Sequence, residues 1–268
     1  MVDLSIIIPA RNEKFLDQTI IDVLEHSESE VEVIVVLDGD RLSRPNDSDR
    51  VKVIDLPKPV GLRVAMNEGV KIARGEYVMK LDAHCSLSQG FDGDLICACE
   101  PDCTVVPTLR ALDAPTWTPR PWTSSRWSLS PNLAMQYESN LDNGSEIDET
   151  MAVHSACWIM ERNRHWALGG LDPGYGAWGL LTAEVSLKSW LSGGRLLVHK
   201  EAWCAHIFRS VWPYKPPPTR PGLDYAKSTW FGDHWNRQTR PLSWLVEKFK
   251  PIPGWHDTEE GRKIVCSL

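Results

Sequence analysis

Asp82 and His84 stand two residues apart, just past the short β-rich run Tyr77–Leu81. Side chains of a strand alternate between its faces, so residues i and i+2 at its end can meet one ligand. A carboxylate with an imidazole suits a borderline divalent ion, Mn2+ first and Mg2+ as the alternative. Asp-x-His is common by chance, and the pair gains weight from the GEYVMKL stretch that precedes it. A second acidic cluster, Asp38-Gly39-Asp40, ends the apolar run 31–37. Cys97, Cys99 and Cys103 form a weak zinc signal, since no fourth ligand follows at a suitable spacing. Trp117, Trp122, Trp127 and Trp178 fall in segments that read as loops, where large aromatics stack better than they pack. Arg120 and Arg126 interleave with the first three, an arrangement open to a sugar acceptor or a nucleic acid.

The elements that must position these residues come from the apolar pattern. Residues 4–8 read as a strand stopped at Pro9, 15–26 as a helix, 31–37 and Val51–Leu56 as strands, 61–74 as a helix, and Tyr77–Leu81 as a fourth strand. This spacing predicts an α/β fold with a mostly parallel sheet flanked by helices. Ligands of such sheets bind outside the carboxyl ends of the strands, where both acidic clusters sit. Beyond about residue 106 the pattern changes. Residues 115–127 read as turn-rich, 140–149 as a surface loop, 151–160 as apolar and 171–178 as a Gly/Pro-rich loop. Residues 182–191 form an amphipathic helix, 195–199 and 202–208 two strand segments, and 212–221, with five prolines, an extended linker. The tail shows one clear helix, 242–249. The expected division is a catalytic domain over 1–209, with a nucleotide-binding half to 106 and an acceptor half after it, and an extension over 210–268.

The 268 residues are 42% hydrophobic and 24% charged, enough for a full core and far from a disordered or rod-like composition. No apolar run is long enough to span a bilayer. The opening MVDLSIIIPARNE lacks the basic start and cleavage site of a secretory signal, so the seven cysteines are expected as free thiols in the cytoplasm. Thirteen tryptophans exceed what a core needs and suggest stacking surfaces or an aromatic lid. Net charge is −7, yet residues 209–268 hold ten Lys/Arg against six Asp/Glu, a net +4 on an otherwise acidic chain. That asymmetry is compatible with a polyanionic partner on one face, or with plain scatter.

The stretches LSIIIPARNE, VVLDGD, GLRVAMNEG and GEYVMKLDAH together resemble the nucleotide-binding half of family 2 type glycosyltransferases. Asp-x-His in place of Asp-x-Asp is similar to the polypeptide N-acetylgalactosaminyltransferases. So is GGLDPGYGAWGLLTAEVSLKSWLSGGR, in order and spacing, and so is AHIFR. The resemblance covers about 4–209 and implies a GT-A, Rossmann-like fold. It implies a nucleotide-sugar donor, UDP-linked as the best match, and a divalent metal held by Asp82, His84 and His206. A metal bridging both phosphates would stabilise the departing nucleoside diphosphate. Pro9, Ala10 and Glu13 lie where the nucleobase and ribose would rest, Asp38 where it could accept from a base N–H, and Trp178 at the donor-site wall. Arg63 is read as a diphosphate or donor-sugar contact, or else as a solvated helix-face arginine. Glu184 is the candidate base or sugar-hydroxyl acceptor, with helix capping as the plainer role. His154 lines the acceptor side or is a buried structural histidine. The chain departs from the family motif at Leu181, where an acid is usual.

For the acceptor, the expectation is a 5-hydroxymethylpyrimidine in DNA, gripped by the basic tail. YAKSTWFGDHWNRQTRPLSWLVEKFKPIPGW in that tail is similar to C-termini of glycosyltransferases encoded by bacterial viruses. Alternatives are a polysaccharide, a lipid-linked sugar or a protein hydroxyl, and, outside catalysis, a nucleotide-sugar or nucleic-acid binding protein.

Overall fold

Apolar runs with both faces covered become the middle of a sheet, and the first 81 residues supply the means for one. The computed structural model describes residues 2–39, 44–141, 143–209, 211 and 213–267, so Asp40 of the second acidic cluster and Trp212 of the proline-rich segment lie outside the described residues. Strands β1 (Leu4–Ala10), β2 (Val31–Asp38), β3 (Val51–Leu56) and β4 (Tyr77–Leu81) pair in parallel, in the order β4-β1-β2-β3. Helices α1 (Leu16–His26) and α2 (Leu62–Ile72) lie between β1 and β2 and between β3 and β4. Every residue of β2 is buried, as its nearly continuous apolar run requires, Glu32 included.

The second half extends the same sheet. In chain order it adds β5 (Cys85–Leu87), α3 (Phe91–Ala98), β6 (Cys103–Asp113), β7 (Thr118–Ser124), β8 (Trp127–Leu129), β9 (Met135–Tyr137), β10 (Ile147–Glu149), β11 (Cys157–Glu161), α4 (Arg162–Ala167), α5 (Leu181–Leu191) and β12 (Arg195–His206). The strand order is β10-β12-β6-β11-β4-β1-β2-β3, with β5 on β12 and β7 on β6. Strand β11 is antiparallel to β4, with Cys157 opposite Leu81, which brings the residues before it alongside Asp82. Strand β5 is antiparallel to β12, with Cys85 opposite His206. That register sets His84 beside His206.

The structure corrects several expectations. The turn-rich 115–127 contains β7, whose prolines are tolerated because it pairs only with β6. The loop 140–149 ends in β10. The two segments of 195–208 are one strand, β12, with a register shift between His199 and Trp203. The tail holds α6 (Arg220–Trp230), α7 (Leu242–Lys248) and α8 (Glu259–Ser267) rather than one helix. Helix α6 begins inside the expected linker, since proline is well suited to a first helical turn. Trp230, Leu242, Leu245, Ile252 and Trp255 join the same core as the sheet. Tryptophan abundance is therefore largely a packing matter: Trp127, Trp158, Trp190, Trp230 and Trp255 are fully buried, and Trp127 is no loop stacker. No described helix is long and apolar enough to cross a membrane.

Candidate active site

Three strand ends converge on one point. Asp82 follows β4, His84 precedes β5, and His206 closes β12. Asp82 Oδ2 lies 3.3 Å from His206 Nε2, and the rings of His84 and His206 have centroids 4.6 Å apart. One ligand atom from each of the three residues falls within 4.8 Å of the others. Burial disfavours charge on Asp82, but the Lys80 ammonium beside it, together with His206, holds its carboxyl far below the usual carboxylate range. Burial lowers the His206 pKa against the pull of Asp82. An ionised carboxylate with neutral imidazole is a donor set for a borderline divalent ion, so the residues fit the metal that the sequence implies.

Glu13 braces this group. Its carboxylate accepts from His84 Nδ1 at 3.1 Å and from the Arg209 guanidinium. Burial would raise the Glu13 pKa, yet the hydrogen bonds from His84 and Arg209 hold it below the usual value. With Nδ1 taken, Nε2 is the His84 nitrogen left to ligate, a common arrangement of second partners around metal-binding histidines. Lys80, nearly fully buried, donates to Asp82 and to the Ser155 carbonyl, tying the approach to β11 against the site. Sequence reasoning passed over Lys80. The available signal was a lysine in an otherwise apolar strand, two residues from Asp82 and so on the same face.

The cluster opens into a cavity of about 910 Å3. Pro9, Ala10, Glu13 and Asp38 line it on the strand-end side, and Trp178 on the other, together with Asp82, His84 and His206. Asp38 accepts from Val60 N–H at 2.6 Å and Gly61 N–H at 3.0 Å, so its oxygens already steady the turn into α2. The proline-rich segment adds Tyr214 and Lys215 to the lining, and α6 adds Leu223.

Arg63 and Glu184 are not among the described lining residues, which corrects both expectations. They face each other, Nε to Oε2 at 2.6 Å, with side chains 1% and 0% exposed. Leu181 and Thr182 take the cavity side of α5. The Glu184 carboxylate is taken up within the chain, by Arg63, by Lys188 Nζ at 2.7 Å and by Asp172 N–H at 2.6 Å, so it is not an open carboxylate at the mouth. His154 is buried with Nε2 2.9 Å from the Pro107 carbonyl oxygen, and burial holds its pKa down at about 3. The structural role fits it. Among the described residues, no metal-holding group includes Cys97, Cys99 or Cys103.

Residues 5–164, more than half of the chain, match the family described as glycosyl transferase family 2. The chain belongs to that family. Curated relatives include polypeptide N-acetylgalactosaminyltransferase 10 of Homo sapiens, 27% identical over 80% of this chain and 39% of that protein. Polypeptide N-acetylgalactosaminyltransferase 5 of Caenorhabditis elegans is 29% identical over 79% of this chain and 38% of its own length. The chain thus spans about two fifths of the length of these relatives. A crystal structure of GalNAc-T7 with UDP, GalNAc and Mn2+ superposes with a TM-score of 0.78 at 20% identity, covering 88% of this chain and 49% of that one. The shared fold bears out the GT-A expectation. Within this family 2 chain, Glu13, Asp38, Asp82 and His84 fall inside the matched segment, while Glu184 and His206 lie beyond it.

Proposed function

We propose that this chain transfers a sugar from a nucleoside diphosphate sugar, UDP-linked, to a hydroxyl acceptor, with Mn2+ held by Asp82, His84 and His206. The observation that carries this reading is the convergence of one ionised carboxylate and two imidazoles at strand ends, on the floor of a cavity large enough for a nucleotide. A divalent ion there would supply Lewis-acid stabilisation of the departing diphosphate. The chain adds its own groups. Lys215 brings positive charge to the cavity wall, Trp178 offers a ring face, and Glu13 keeps His84 turned toward the site.

For the acceptor we favour a protein hydroxyl, the class named by the curated relatives. The DNA reading relied on free positive charge in the tail and at Arg120 and Arg126, and that charge is largely engaged within the chain. Arg120 pairs with Asp113, Arg126 with Glu138, Arg220 with Asp224 and Lys248 with Glu149. Arg240 donates to the Gly194 carbonyl at 3.0 Å, and Lys227 to Asn132 at 2.7 Å. At the mouth, Phe208 lines the cavity, and Trp122 meets it edge-on with centroids 5.7 Å apart. Trp122 meets Tyr137 in the same way at 5.6 Å. Exposed aromatics of this kind offer a stacking surface beside the mouth. The test is a panel of UDP-sugars with Mn2+, offered Ser/Thr peptides, hydroxymethylated DNA and plain DNA, read by mass spectrometry. Peptide glycosylation that stops in chelator is expected. Transfer only to DNA would overturn the acceptor, and failure to bind or consume any UDP-sugar would overturn the whole reading.

A further inference from the structure

The segment 176–180, Gly-Ala-Trp-Gly-Leu, lines the cavity from Ala177 onward and is backbone that must be held in place. Gly176, Gly179 and Leu180 have φ of 86°, 84° and 57°, and Leu180 adopts this region without glycine's freedom. One guanidinium spans the segment. Arg63 NH1 donates to the Gly176 carbonyl at 3.0 Å and NH2 to the Gly179 carbonyl at 2.7 Å, bracketing Ala177 and Trp178. Its Nε donates to Glu184 at 2.6 Å, and the Tyr175 ring lies 5.2 Å from its centre. Glu184 is held in turn by Lys188 Nζ at 2.7 Å and by Asp172 N–H at 2.6 Å. The Asp172 side chain accepts from Tyr225 OH of α6 at 2.7 Å. From the α2 side, Leu62 N–H donates to the Ala177 carbonyl at 3.1 Å. A Cβ at Gly61 would sit 2.6 Å from Ala177 Cα, so the approach is close.

We propose that Arg63 and Glu184 are a positioning pair for the nucleotide-sugar: outside the cavity lining themselves, they fix the Ala177–Trp178 wall against which the donor rests. The proposal rests on the donor reading above. Arginine is required because its planar fork reaches two carbonyls and a carboxylate at once, whereas lysine is a point charge. Removing either charge outright strands its partner in the interior, so charge-conserving variants are the informative ones.

The experiment is a double-mutant cycle of R63K and W178A, with UDP binding in Mn2+ measured by calorimetry, Mn2+ binding by electron paramagnetic resonance, and donor kinetics. R63K should weaken UDP binding about tenfold, the worth of one hydrogen bond to a charged group, and raise donor KM in step with little change in kcat. Mn2+ affinity should hold. In the W178A background R63K should add less than about twofold, the mark of two residues acting through one contact. E184D, which keeps the charge, runs the same cycle if R63K folds poorly. UDP binding unchanged in folded R63K and E184D, or effects fully additive with W178A, would defeat the pair's role alone. A wild-type chain that binds no UDP would remove the proposed function and this role with it.

Discussion

The Lys80 ammonium and the His206 imidazole favour the charged form of Asp82, and that governs how Asp82 should be tested. Asp82→Asn keeps the shape and removes the charge. It should cost on the order of 10^3 in Mn2+-dependent rate, since several kcal/mol of charge stabilisation depend on the ion. Asp82→Ala is the poorer probe, because it also takes a partner from Lys80, which is buried. Full rate in chelator would remove the metal from the mechanism. Glu13→Gln tests the brace. Loss of such a second partner typically weakens metal binding about 10–100-fold, to be read by Mn2+ titration with the fold checked by circular dichroism. An unchanged affinity would reduce Glu13 to a loop anchor. At this scale the sequence was legible where chemistry is local: Asp82 and His84 share one strand end, and His206 sits in a recognisable segment. Arg63 and Glu184 were misread because they are 121 residues apart, and only packing shows that they spend their charges on each other.

Elements were legible in proportion to how plainly burial wrote their period. Strands β3 and β4 were placed to the residue, because short β-rich runs bounded by turns admit one reading. Strand β7 was hidden by two prolines, which usually mark turns but here sit on a strand bonded to β6 alone. Helix α6 was hidden by the prolines around its start. The misjudged tail changes what truncation should do. Trp230 and Leu245 are fully buried in the core shared with the sheet. Trp230→Ala should therefore cost about 3–5 kcal/mol, measured by urea unfolding. A chain ending at residue 209 should melt without a cooperative transition. A stable, cooperative 1–209 fragment would show the extension to be an independent appendage after all.

At the scale of the molecule, acid stability is set partly by two buried histidines outside the Asp82–His84–His206 group. Burial holds both His154 and His165 at a pKa of about 3, against an unfolded value near 6.5. Between those values the unfolded chain binds protons that the folded chain does not, so stability is full above about pH 6.5 and falls as pH drops. Two such groups should give a slope of up to roughly 2.7 kcal/mol per pH unit below about pH 6, before the carboxylates contribute. Urea melts from pH 7 to pH 4 test this, and a flat profile down to pH 5 would contradict it. One feature of the sheet also bears on biosynthesis. Strand β12, the last made, pairs with β5, β6 and β10 and carries the third imidazole. A ribosome-bound chain can assemble β1 to β4 and present Asp82 and His84 long before His206 emerges. Competence to hold a cation should arise only when synthesis of the sheet is complete. During refolding, Mn2+ and UDP affinity should then return with the slowest, long-range closure rather than with early secondary structure. Chains released before residue 206, at residue 209 and at full length would show whether the Asp82–His84–His206 group gains Mn2+ affinity with β12 or once the tail has packed.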